Sequence, residues 1–111
     1  MFGNLFGAKK YTSISPKEVK EKLDKKESFL LIDVRNPDEY AGGHISGAVS
    51  VPLGSLVQRI PKVAPSKDTE IVLHCLSGAR SARAAEALTQ MGYTNVKNMG
   101  GISSRRYNIV R

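Results

Sequence analysis

The chain has 111 residues, 41% of them apolar, and carries a formal charge of +7 at pH 7. This length suits one compact domain, and the apolar fraction supplies a real core, which excludes a disordered chain. A single cysteine excludes an internal disulfide, a paired-cysteine redox motif and a cysteine-rich zinc site, and its natural setting is a reducing, cytoplasmic one.

The opening "MFGNLFGAKK" places apolar residues before two lysines, the reverse of a signal peptide, and is read as a loose tail over residues 1–10. Residues 11–111 form the domain, and no apolar run approaches a membrane span. The basic residues are dispersed between "KEVKEKLDKK" and "SSRRYNIVR", with no zinc-finger or aromatic RNA-binding signature beside them. The lysines therefore read as a solvated face and nucleic acid is not an expected partner; the positive balance suits small anionic substrates.

Ser15, Pro16 and Glu18 stand at the N-cap, N1 and N3 positions of a helix, with Ile14 and Val19 as a hydrophobic staple. This helix should reach about Lys25, with Val19 and Leu23 facing the core. "FLLIDVR" is a continuous apolar run and predicts a strand covered on both faces. Asn36, Pro37 and Glu39 repeat the helix-start pattern in miniature. The glycine-rich "AGGHISGAVSVP" should be a loop that runs into a short strand at residues 49–51. Leu53, Leu56, Val57 and Ile60 have the spacing of an amphipathic helix, which Pro61 and "APSKD" should end.

"EIVLH" predicts a second buried strand. A helix from Ser81 to Met91 should turn Ala84, Ala85, Leu88 and Met91 inward, with Gly92 just past its end. "TNVKNM" reads as a final short strand, the following "GG" as a turn, and "ISSRRYNIV" as a last helix. Strands alternating with helices favour a parallel sheet built through right-handed crossovers.

Chemistry concentrates in "HCLSGARS". In open parallel sheets, sites gather beyond the carboxyl ends of strands, and Cys75 stands at such an end. If residues 76–80 (Leu76, Ser77, Gly78, Ala79 and Arg80) curl around the sulfur, their N–H groups form an anion-binding nest, with Gly78 allowing the tight turn. The positive end of the following helix and the Arg80 charge add to it. All these contributions favour a thiolate, whose pKa in such settings falls from about 8.5 to roughly 3.5–7.5.

These residues resemble a known family, the single-domain rhodaneses. "LIDVRNPDEYAGGHISGAVSVP" resembles the family's first signature, "IVLHCLSGARS" its active-site loop and "NMGG" its glycine pair near the C-terminus. The resemblance runs from about Tyr11 to Arg111 and implies a three-layer α/β/α fold around a five-stranded parallel sheet. It implies a sulfurtransferase in which Cys75 takes sulfur from an anionic donor such as thiosulfate, holds it as a persulfide and passes it to cyanide, a thiol or a protein acceptor. No cofactor or metal is implied. Asp33, Arg35, His44 and Ser81 match positions that support the site, and His74 reads as a strand-end residue. Arg105 and Arg106 fall where the family often has a pocket-edge tryptophan, and they suggest a cationic rim.

Two other readings stay open. One is a rhodanese-like carrier or protein-binding module with little turnover of its own. The other is a cysteine-loop phosphatase or an arsenate reductase. Phosphatase loops place five residues between cysteine and arginine, whereas only Leu76 to Ala79 separate Cys75 from Arg80, and a resolving thiol is missing.

Overall fold

The computed structural model describes residues 11–101 and 107–111; the expected tail over residues 1–10 and the rim arginines Arg105 and Arg106 lie outside them. Ser15 and Glu18 make a reciprocal capping box: the Glu18 N–H donates to Ser15 Oγ at 3.0 Å and the Ser15 N–H to Glu18 Oε1 at 3.2 Å. Two orphan donors are thereby satisfied at the start of a helix.

In chain order the elements are β1 (Thr12–Ser13), α1 (Pro16–Asp24), β2 (Leu30–Asp33), α2 (Pro37–Ala41), β3 (His44–Ile45), β4 (Val49–Ser50), a 3-10 turn (Leu53–Ser55), α3 (Leu56–Val63), β5 (Ile71–Cys75), α4 (Ala79–Gln90), β6 (Val96–Gly101) and β7 (Ile109–Val110). The main sheet has five parallel strands in the order β1-β6-β5-β2-β4. β5 lies at its centre, and each of its residues is buried.

The period-two geometry of the strands divides the core between the two faces. Ile32 and Val34 join Ile71, Leu73 and Cys75 on one face, beneath Leu56 and Ile60 of α3 and Ala84, Ala85 and Leu88 of α4. Leu31 and Val72 point to the other face, against Val19 of α1, Ile45, Met99 and Tyr107. Asp33 and His74 continue this second row and are fully buried. Helices thus flank both faces of the sheet, the arrangement expected for strands lacking polar alternation. Among the described residues, no helix is long and apolar enough to cross a membrane.

Several expectations are corrected. β1 has no apolar pattern to announce it; it exists because its backbone pairs with Lys97 and Asn98 at the sheet edge. Residues 109–110 are not helical but a strand antiparallel to β3, anchored beside Tyr107, whose hydroxyl donates to the Pro16 carbonyl at 2.9 Å. Gly100 and Gly101 do not form a turn. They complete β6 beside His74 and Cys75, after a register shift that skips Met99 and that Gly100 permits with φ +87°.

Pro61 lies inside α3, which runs on to Val63. The hydrogen bond it removes is the one to the carbonyl of Val57, an exposed residue. Val57 itself is 55% exposed, because the 3-10 turn rotates the helix onto a Leu56–Ile60 stripe.

α4 ends as its glycine implies. Gly92 has φ +96°, its N–H donates to the Thr89 carbonyl, and the Tyr93 N–H donates to the Leu88 carbonyl, satisfying two orphan acceptors. Leu88 is fully buried between α4 and the sheet. Leu88→Ala should cost about 2–5 kcal/mol, against total stabilities of roughly 5–15 kcal/mol for natural domains. Urea unfolding checks this through a lowered midpoint at unchanged slope.

Candidate active site

β5 delivers Cys75 to the carboxyl end of the sheet, and α4 begins at Ala79, so Leu76–Gly78 is the whole connection. The helix starts two residues earlier than its sequence suggests. Ala79 and Arg80 belong to its first turn rather than to the loop. The reason is the N-cap: Gly78, with φ +105°, reverses the chain and has no side chain with which to cap the helix. The cysteine sulfur takes that role. Cys75 Sγ accepts from the Gly78 N–H at 2.9 Å and from the Ser81 N–H at 3.4 Å. These donors belong to the group of N–H bonds that a helix start leaves unpaired.

Ser81 is buried, and its hydroxyl, 3.5 Å from Sγ, donates to the Gly78 carbonyl at 3.1 Å while the sulfur is a thiol and can turn its one proton to a thiolate. Burial pushes the Cys75 thiol up, but the Ser81 hydroxyl and the N–H groups of Ser81, Gly78 and Arg80 outweigh it and bring the pKa below its ordinary value. Arg80 thus reaches the sulfur through its backbone. Its guanidinium is paired with Glu39 at 2.7 and 3.1 Å, while its charge still interacts with Cys75.

Glu39 also accepts from the Asn36 N–H at 2.9 Å. The Arg80 hydrogen bonds and then the Asn36 N–H hold its carboxyl down at about 2. One carboxylate therefore both caps α2 and ties it to the first turn of α4.

The opposite wall rests on a buried ion pair. Arg35 Nε donates to both Asp33 oxygens at 2.9 and 3.0 Å, and its Nη2 to Oδ2 at 2.7 Å. The same Nη2 donates to the Gly43 carbonyl at 2.8 Å, and the Arg35 N–H to Asp33 Oδ1 at 2.9 Å. Such saturation offsets the desolvation of two charges. His44 lies farther along this wall: its Nδ1 is 2.8 Å from the Tyr40 carbonyl, and its ring stacks on Tyr40 at 3.6 Å between centroids. The Tyr40 hydroxyl donates to the Ala48 carbonyl at 2.7 Å.

His74 Nε2 lies 3.8 Å from Asp33 Oδ2, but burial lowers the His74 pKa and keeps the ring neutral, so this is no ion pair. Neither ring nitrogen has a partner at hydrogen-bond geometry.

The structure thus gathers Cys75, Gly78, Arg80 and Ser81 around the sulfur, leaves Leu76, Ser77 and Ala79 exposed outside it, and sets Asp33, Arg35 and His44 in the supporting wall. Sequence reasoning missed Glu39, taking it only as a cap; the signal was an acidic residue at a helix start with a loop arginine in need of a countercharge. It also missed Gly101. A Cβ there would lie 2.7 Å from the Leu76 carbonyl oxygen, so only glycine lets β6 pass under the loop.

Two outcomes follow from this packing. Gly101→Ala should push the Leu76 carbonyl outward, loosen the N–H groups around the sulfur and raise the Cys75 pKa. Ser81→Ala removes a hydroxyl that favours the thiolate, so less thiolate exists at a given pH and the alkylation profile of Cys75 should move to higher pH. Iodoacetamide kinetics against pH check both, and a profile unchanged in either variant contradicts the corresponding role.

A rhodanese-like domain family model matches residues 15–104. The thiosulfate sulfurtransferase PspE of Escherichia coli K12 is 41% identical over 71 residues, covering 64% of this chain and 68% of that protein. A sulfurtransferase of Allochromatium vinosum is 36% identical over 88 residues, covering 79% of this chain and 80% of that protein. A solved structure of an E. coli rhodanese with anions superposes with a TM-score of 0.71 at 36% identity, covering 76% of this chain and 99% of that one. Together with the five-stranded parallel sheet and the cysteine at its carboxyl end, these similarities show that the chain belongs to the rhodanese-like family of sulfurtransferases.

Proposed function

We propose that the protein moves sulfane sulfur from an anionic donor to a thiophilic acceptor through a persulfide on Cys75. The observation that carries this reading is the cradle: Gly78 and Ser81 N–H groups point at Sγ from 2.9 and 3.4 Å at the start of a helix. Fixed donors of this kind stabilise negative charge without reorganising during the reaction. With thiosulfate, the Cys75 thiolate attacks the outer sulfur. The new S–S bond forms as the bond to the inner sulfur breaks, and sulfite leaves with the electron pair. The persulfide keeps one negative charge, which the same loop can receive. Cyanide then attacks the outer sulfur, thiocyanate departs and the thiolate returns; a thiol acceptor leaves as its own persulfide. This is a ping-pong cycle.

Residues 11–111 act as one domain in this reading. The cradle is too short for the phosphatase alternative. Its amides close on a single sulfur atom, and its arginine is engaged by Glu39 rather than open to a tetrahedral oxyanion.

Incubation with thiosulfate should add one sulfur atom to the intact protein, and cyanide should remove it with release of thiocyanate. Cys75→Ser should abolish both steps while retaining the wild-type circular dichroism spectrum. Sulfur loading without any turnover to cyanide or small thiols would assign the carrier role instead, and an unmodified mass would remove the persulfide reading.

A further inference from the structure

The first turn of α4 carries one cation, Arg80, whose charge interacts with Cys75, and that cation is already engaged. Both Nη atoms of Arg80 donate to Glu39, in an ion pair whose side chains are 30% and 29% exposed. Glu39 cannot swing away freely, because the same Oε1 accepts the Asn36 N–H at the start of α2. The other residues of the stretch, Leu76, Ser77 and Ala79, carry no charge. Leu76 follows the buried Cys75 directly in sequence and is 57% exposed, so the loop that holds the sulfur presents an apolar side chain to solvent.

We propose that Glu39 is a specificity-determining residue: by neutralising Arg80 it makes the mouth suited to an organic sulfane-sulfur donor with a single negative charge, whose apolar group rests on Leu76, in preference to a compact dianion. This inference rests on the sulfurtransferase reading and names the donor class for the same site. An organic thiosulfonate represents the class. The Cys75 thiolate forms a bond to its outer sulfur, the bond from that sulfur to the sulfonyl sulfur breaks, and a sulfinate leaves with the electron pair. One negative charge stays on the persulfide and one on the sulfinate, matching the two that entered. With thiosulfate the same step must hold three negative charges together, and a free Arg80 is the group that would help.

The test compares kcat/KM for thiosulfate and for benzenethiosulfonate, with cyanide as acceptor, in wild type, Glu39→Gln and Glu39→Gln/Arg80→Gln. Glu39→Gln frees the Arg80 charge. It should raise the ratio of thiosulfate to benzenethiosulfonate about three- to tenfold at low salt, the effect of one charge acting across a few ångströms of water, and salt should shrink the gain. The double variant removes both charges and should return the ratio to the wild-type value. An unchanged or lowered ratio in Glu39→Gln, or an equal loss with both donors, overturns the proposal and leaves Glu39 a positioning residue only. Should Glu39→Gln fail to fold, Leu76→Ser decides, since that side chain is exposed: it should lower kcat/KM for benzenethiosulfonate but not for thiosulfate, and equal values for both overturn the proposal. An intact mass left unchanged by both donors in the wild type is a different failure, because it refutes the persulfide reading beneath the inference.

Discussion

The site depends on one substitution of roles at the start of α4. A helix leaves its first N–H groups unpaired, and a serine, threonine, aspartate or asparagine usually caps them. Here the cap position is Gly78, which has no side chain, and Cys75 Sγ accepts the N–H groups instead. The helix needs an acceptor there and the sulfur needs donors, so each satisfies the other. That exchange works only if the chain returns from β5 to α4 within Leu76–Gly78. Such a return requires the left-handed backbone of Gly78 and the absence of a side chain at Gly101 beneath the Leu76 carbonyl. Two glycines far apart in sequence therefore serve one sulfur atom.

The walls around this cradle are held by charge pairs of two kinds. Asp33–Arg35 is buried and bonded beyond the pair itself: the carboxylate also takes the Arg35 N–H, and Nη2 of the guanidinium also holds the Gly43 carbonyl. It fixes the path from β2 into β3. A pair this enclosed costs desolvation and is justified by the loops it organises. His74 sits against it in a neutral state, its pKa lowered by burial. Glu39–Arg80 is partly exposed and joins α2 to α4 across the mouth. Losing the first pair would leave a buried charge unpaired, whereas losing the second would free a charge at the surface.

Much of this was legible in the sequence, for local physical reasons. The capping box of α1, the buried run of β5 and the glycine stop of α4 each follow from a few adjacent residues, and the structure contains all three. What was not legible depends on distant partners. Thr12–Ser13 is a strand only because β6 offers it an edge, and Ile109–Val110 only because β3 does. The start of α4 was misjudged because the cap belongs to a residue three positions before Gly78. The partner of Arg80 was not foreseen because Glu39 lies 41 positions away in sequence. Gly100 and Gly101 looked like a turn, since glycine pairs usually are one; the register shift beside Leu73 and His74 put them in a strand instead.

On the proposed sulfur-transfer reading, stabilising the sulfur and choosing its donor fall to different groups. The groups that lower the Cys75 pKa are the Ser81 hydroxyl and backbone N–H groups, and the cysteine they surround is buried. Fixed dipoles in a water-poor setting are screened little by salt, so the thiolate they favour does not depend on ionic strength. Whole charges stand farther out, on Glu39 and Arg80, where solvent and salt reach them. On that reading, a substitution in the cradle acts on every donor alike, because each meets the same sulfur. In the proposed reading, a substitution in the outer pair acts on the net charge that a donor meets before the sulfur is reached. In that reading, the backbone that holds the sulfur can stay constant while a single carboxylate at the start of a short helix adjusts the charge around it.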